Sequence, residues 1–174
     1  QQTVKINNKN INTFKVYDKF CIGDLEINPF SISQDAANPC GFNIFKGNKK
    51  ISIATDIGNM DTKTIKTLED SIFVLLEANY DPDILKCSPY PYLLKRRIAG
   101  PTGHLPNEQA GKTISHLINS GLQSAMLGHL SKENNFPELA YKTVAEEIMN
   151  SNHSNNAINL SVASRSEPGK LIKF

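Results

Sequence analysis

Apolar positions in the first third of the chain alternate with polar ones at a period of two, the signature of half-buried strands. Val4/Ile6 and Ile11/Phe14/Val16 predict two short strands across residues 4–17, joined at the amide-rich turn Asn7-Asn8-Lys9-Asn10. Phe20-Cys21-Ile22, the Gly23-Asp24 turn and Leu25 to Ile32 continue the meander, and Gln34 to Pro39 reads as a loop. Gly41 to Phe45 and Lys50 to Thr55 predict a hairpin around Gly47-Asn48. Its second strand runs Ile51-Ser52-Ile53-Ala54-Thr55 and stops at Asp56, just before Ile57-Gly58.

Beyond Asp56 the pattern changes to alternating helix and strand. Asp61 to Glu69 predicts a helix capped by Asp61, and Ser71 to Leu76 an apolar strand that ends at Glu77. Asp81-Pro82 through Leu85 and Tyr90 to Ile98 predict two short helices. Ala110, Ile114, Leu117 and Ile118 form the apolar stripe of a helix over Asn107 to Asn119. Leu122 to Leu127 predicts a strand ending at Gly128-His129. The series Asn135-Phe136-Pro137-Glu138 has a capping-box pattern that opens a last helix, and Ala157 to Ala163 predicts a closing strand. The Asn/Ser segment Asn150 to Asn156 reads as a loop before it. A β-meander followed by helix–strand alternation predicts an α/β sandwich, a mixed sheet with helices on its outer face.

Asp56, Glu77 and His129 each follow an apolar strand, and His104 stands just before a helix start. If the three strands lie parallel and adjacent, these side chains converge on one sheet edge, where imidazole and carboxylate suit zinc- or manganese-type ions. Each has a plainer reading too. Asp56 can bond its own turn, His129 can cap the following loop, and His104 can point to solvent at a helix N-terminus. His116, off the apolar stripe, and His153, in the Asn/Ser loop, are weaker candidates. Lys95-Arg96-Arg97 is either a solvated helix face or a set of phosphate contacts.

Composition narrows the classes. With 174 residues, 39% of them hydrophobic and 21% charged, the chain is long enough for one domain with a real core. A net charge of +2 restricts any nucleic-acid contact to local patches. Cys21, Cys40 and Cys87 are odd in number and far apart, with no Cys-x-x-Cys pair, so a disulfide framework or zinc ribbon is not expected and a cytoplasmic location is. The longest apolar run is too short to span a bilayer, and Gln1-Gln2-Thr3 opens no secretory signal.

Four segments carry a family resemblance. They are Ile32 to Phe42, Ala54-Thr55-Asp56-Ile57-Gly58, Gly103-His104-Leu105-Pro106-Asn107, and Leu127-Gly128-His129-Leu130-Ser131-Lys132-Glu133-Asn134-Asn135. In order and spacing they resemble the later part of a metallo-β-lactamase-fold hydrolase of the YycJ/VicX (WalJ) type. The resemblance implies an αββα sandwich with two divalent metal ions, a bridging Asp at Asp56 and the last metal-binding His at His129. The more distant ribonuclease Z pattern implies a proton relay of Glu77 and His104. The implied activity is phosphodiester hydrolysis, with DNA exonuclease action foremost and nucleic acid as substrate. The family's upstream His-x-His-x-Asp-His cluster is absent. Residues 1–174 are therefore expected to be one domain without its N-terminal part, the C-terminal portion of a protein of about 260 residues. Gln34 stands at a usual metal-binding His, Tyr80 where many relatives have His, and Pro106 where a Ser would cap the next helix, leaving Asn107 to cap it. The alternative to an enzyme is a non-catalytic half-domain or degenerate pseudoenzyme that has lost the metal cluster.

Overall fold

The structure is a computed structural model and describes residues 7–151, 158–169 and 171–173. Among them, seven strands form one sheet whose spatial order is the chain order. Strands β1 (Phe20–Ile22), β2 (Leu25–Ser31), β3 (Cys40–Lys46) and β4 (Lys49–Ala54) pair antiparallel, through tight turns at β1–β2 and β3–β4 and a longer loop at β2–β3. Strands β5 (Phe73–Glu77), β6 (Ser124–Gly128) and β7 (Asn159–Val162) then add in parallel. Parallel neighbours need crossovers, and helices supply them. Helix α1 (Thr62–Leu68) links β4 to β5; α2 (Pro82–Cys87), α3 (Tyr92–Ile98) and α4 (Asn107–Ile118) link β5 to β6; α5 (Pro137–Asn150) precedes β7.

The register aligns the C-terminal ends of β4, β5 and β6. Ala54 pairs with Leu76, Leu76 with Leu127, and Glu77 with Gly128. Loops leaving these strands therefore start side by side on one edge, the usual place for a site in an open parallel sheet.

The two sheet faces differ. Ala54, Val74, Leu76, Ala125 and Leu127 are buried against Ile114 and Leu117 of α4, Ala140 and Val144 of α5, and Leu68 of α1. The other face carries Phe42, Ile44, Ile51, Ile53, Leu75 and Met126, all apolar and all partly exposed. Phe14 reaches this side, stacking on Phe20 at 5.2 Å and meeting Phe42 edge-on at 5.9 Å.

Expected and observed elements agree from residue 20 onward to within a few residues, and Asp61 caps α1 through Thr64 N–H at 2.7 Å. Residues 11–17 form no strand, and Asn8–Asn10 is a short 3-10 turn; Val4 and Ile6 lie outside the described residues. The chain turns there, with Tyr17 at φ 75° and Asp18 N–H on the Lys15 carbonyl at 3.0 Å, and Pro29 adds to the break. Tyr17 N–H bonds the Pro29 carbonyl at 2.9 Å, but Pro29 has no N–H to return, so the ladder beyond β1 cannot continue. Most of the Asn150 to Asn156 segment, with His153, also lies outside the described residues.

The two expected asparagine caps are corrected as well. Neither α4 nor α5 has a side-chain cap. Asn107 and Asn135 instead face each other, buried, and exchange amide hydrogen bonds of 3.1 and 2.8 Å. Asn135 also donates to the Ala78 and Asn79 carbonyls at 2.9 and 3.1 Å and accepts from Phe136 N–H at 3.0 Å. Burial makes these bonds worth more than a solvent-facing cap would be. The pair ties the end of β5 to the starts of α4 and α5. Asn135→Ala is expected to lower stability by about 3 kcal/mol, since several buried partners lose their bonds at once. Urea denaturation checks this; a midpoint within error of the parent would show that the pair carries no such weight.

Candidate metal centre

At the C-terminal end of β5, Glu77 is fully buried. A carboxylate there must be paired or lose its charge. Its Oε2 accepts from Ile57 N–H at 2.6 Å, and its Oε1 faces the Nδ1 atoms of His104 and His129, each at 2.7 Å. Burial works against the charged form. The bonds from His104, His129 and the Ile57 amide outweigh it and hold the carboxyl below the ordinary glutamate range.

Taking Nδ1 of both rings as the donor leaves both Nε2 atoms turned away from Glu77. The rings lie 5.2 Å apart between centroids. Asp56 completes the group: its Oδ1 is 3.3 Å from His129 Nε2. The Glu77 bond foremost raises the His129 pKa above the ordinary histidine value; burial opposes, and the charges of Glu77 and Asp56 add to the rise.

One ligand atom each from Asp56, His104 and His129 lie within 4.8 Å of one another. Two ligands about 2.0–2.1 Å from a tetrahedral ion sit about 3.3 Å apart, so the Asp56–His129 spacing fits one cation directly. Histidines backed by a carboxylate at Nδ1 are also the usual arrangement of metal-binding imidazoles. The donor set fits a divalent cation of the zinc or manganese type.

Backbone geometry aims the ligands. Asp56 and His129 adopt φ of 57° and 54°, in the left-handed region that side-chain-bearing residues rarely occupy. Each thereby turns sharply off its strand, toward the other. Asn79 holds the second turn, donating to the His129 carbonyl at 2.7 Å while its own carbonyl accepts from Ser131 N–H at 2.7 Å. His104 is placed by a tight meeting of loops. A Cβ on Gly58 would stand 2.7 Å from the Pro101 oxygen, and one on Gly103 would strike the carbonyls of Arg97 and Ile98.

The remaining candidates separate. The Gln34 amide, with its nitrogen turned to the loop, donates to the Thr102 and Gly103 carbonyls at 2.7 Å each. It clasps the His104 loop and is not directed at the ligand group. Arg97 lines a cavity of about 330 Å³ with Asp35, Tyr90, His104 and His129, and bonds Asp35 through Nε at 2.6 Å. Lys95 and Arg96 line a separate, neighbouring groove. His116 pairs with Glu69 at 2.8 Å on the surface, away from the site. Sequence reasoning did not assign a role to Asn79, Asp35 or Tyr90. An amide two residues after a strand-terminal acid was the available signal for Asn79.

No protein-family model matches the chain. It is 32% identical over 144 residues to exodeoxyribonuclease WalJ of Streptococcus pneumoniae, covering 83% of this chain and 54% of that protein. Exodeoxyribonuclease YycJ of Bacillus anthracis is 32% identical over 135 residues, covering 78% and 51%. The chain thus spans about half the length of the curated relatives it matches. Among solved structures, it is similar to the metallo-β-lactamase fold protein YhfI of Bacillus subtilis, with TM-score 0.57, 12% identity, and coverage of 86% of this chain and 51% of that one. Zn(2+)-bound PqqB of Methylobacterium extorquens gives TM-score 0.58 and 13% identity over 87% and 52%. Among the described residues no helix is long and apolar enough to cross a membrane. In sequence along most of its length, and in the arrangement of its sheet, the chain is a homologue of the WalJ and YycJ proteins and carries the metallo-β-lactamase fold.

Proposed function

We propose that this chain is the later half of a cytoplasmic phosphodiesterase that hydrolyses DNA at a centre of two divalent cations, zinc or manganese. The observation that carries this reading is the convergence of Asp56, His104 and His129 in front of the buried Glu77. The similarity to two proteins named exodeoxyribonucleases supports DNA as the substrate. The partly exposed apolar sheet face supports a second layer packed there, as an αββα sandwich requires, and the relatives have the additional length to supply it. Ligands from that layer would complete the centre.

Bound cations of this kind acidify a water to a pKa near 7 and offset charge on the phosphoryl oxygens. Asp56 has two carboxylate oxygens and so can face two ions. His129 offers Nε2, its Nδ1–H being committed to Glu77. His104 is held at Nδ1 by the same carboxylate, and its Nε2 delivers a proton to the leaving oxygen while Glu77 supports the imidazolium. Arg97, braced by Asp35, takes a flanking phosphate in the adjoining cavity. Lys95 and Arg96 lie one groove further away.

Metal removal tests the reading. In the full-length protein, chelation to below stoichiometric metal by elemental analysis should abolish turnover of a chromogenic phosphodiester, and zinc or manganese should restore it. Turnover that persists without metal overturns the proposal. A non-catalytic half-domain is the second reading, and the engagement of Gln34 with the His104 loop favours it, since, with His104 kept for proton transfer, Asp56 and His129 are the ligands that remain among the described residues of this chain. Metal binding without any turnover by the full-length protein would decide for it.

A further inference from the structure

Beside the metal centre lies a second depression of about 580 Å³, between the end of β5 and helices α2 and α3. Tyr80, Tyr90 and Tyr92 line it together with the basic residues Lys86, Lys95 and Arg96. Among the described residues no Asp or Glu lines it. Tyr90 also lines the cavity that holds His104 and His129, so groove and centre adjoin at this residue. The three rings differ in setting: Tyr80 is buried and Tyr92 is 72% exposed. The Tyr92 ring is thus open to a partner from solvent.

The cations are arranged around the rings. Lys95 reaches across to the Lys86 carbonyl, Nζ to oxygen 2.6 Å, bridging α2 and α3. Arg96 lies with Cζ 5.8 Å from the Tyr92 ring centroid and has no carboxylate partner among the described residues. Ring faces that accept flat apolar groups, bordered by unneutralised cations, match a chain of unstacked bases on a phosphate backbone. They do not match a duplex, whose base faces are already stacked on one another.

We propose that this groove binds single-stranded nucleic acid, seating one or two unpaired bases on Tyr90 and Tyr92 while Arg96 and Lys95 hold the backbone, and leads the strand into the metal centre. The proposal rests on the phosphodiesterase reading for its direction but on the groove's own chemistry for its ligand. It makes the substrate an unpaired end or a single strand.

The test is equilibrium binding of fluorescein-labelled oligodeoxythymidylate to the full-length protein in EDTA, read by anisotropy, with a duplex of equal length alongside. Tyr92→Ala should weaken single-strand binding about 5- to 150-fold, the range for loss of one base–aromatic stack. Tyr92→Phe should retain it, and Arg96→Gln should weaken it with a shallower salt dependence. Duplex affinity should change less than twofold in Tyr92→Ala. Unchanged single-strand binding in Tyr92→Ala, equal losses on both DNAs, or no single-strand binding by the parent protein would each overturn the proposal. Turnover of the base-free chromogenic phosphodiester by the parent protein is measured separately. Its absence defeats the phosphodiesterase reading and leaves the anisotropy result for the groove standing.

Discussion

Replacing Asp56 with alanine is expected to remove metal-dependent phosphodiesterase activity from the full-length protein, by about 10³-fold or more, given the several kcal/mol that cation stabilisation supplies. Asp56 is the one carboxylate in the ligand group, and its Oδ1 stands 3.3 Å from His129 Nε2. The side chain is partly exposed and packs in no core, so the variant should fold. A small loss of stability is expected, because alanine keeps a Cβ at φ 57° without the polar side chain that eases the left-handed region. Turnover of the chromogenic phosphodiester together with metal content by elemental analysis checks this. Unchanged turnover at equal protein and metal would show that the bridge lies elsewhere.

Glu77→Gln should act on both metal binding and stability. Glutamine keeps one acceptor oxygen and brings an NH₂ where the carboxylate had only acceptors. That NH₂ must face either the Ile57 amide or the two imidazole Nδ1–H groups, donor against donor. The rings then lose their fixed tautomer and orientation, and divalent-metal affinity is expected to fall about 10- to 100-fold. Loss of the buried anion beneath two histidines is expected to cost about 3 kcal/mol. Isothermal titration with zinc or manganese, and urea denaturation of the metal-free protein, read the two effects separately. Equal metal affinity in parent and variant would remove Glu77 from the centre. The parent should also lose stability in acid in a way the variant does not. Because folding lowers the Glu77 pKa, the unfolded chain holds that proton more tightly. The contribution is therefore present above the unfolded value of about 4.3 and is lost as pH falls through the folded one.

The positions of Asp56, Glu77 and His129 were legible because each ends an apolar run, and adjacent parallel strands bring such ends together. Their division of labour was not. Nothing local in the sequence shows that one carboxylate serves two rings, since that depends on where residues 104 and 129 return in space. The run Lys95-Arg96-Arg97 reads as one patch, but successive residues on a helix point about 100° apart, so Arg97 enters one cavity and its neighbours another. The asparagines at the starts of α4 and α5 had the sequence of caps, and a long-range partner outcompeted the local bond. Pro29, a residue easily tolerated in a strand near a sheet edge, helped end the meander at β1.

The left-handed backbone at Asp56 and His129 has a consequence for selection. A residue with a Cβ is strained there and glycine is not, although aspartate is tolerated better than most. At Asp56, which is partly exposed, replacement by glycine therefore gains folding free energy as it erases a ligand, whereas at His129 the lost bond to the buried Glu77 opposes any such gain. Any pressure for robustness alone, such as heat challenge or a solubility screen, draws position 56 toward glycine. Descendants of this chain that lost their substrate would be pulled the same way, and their thermal hardiness would be the mark of a silenced centre.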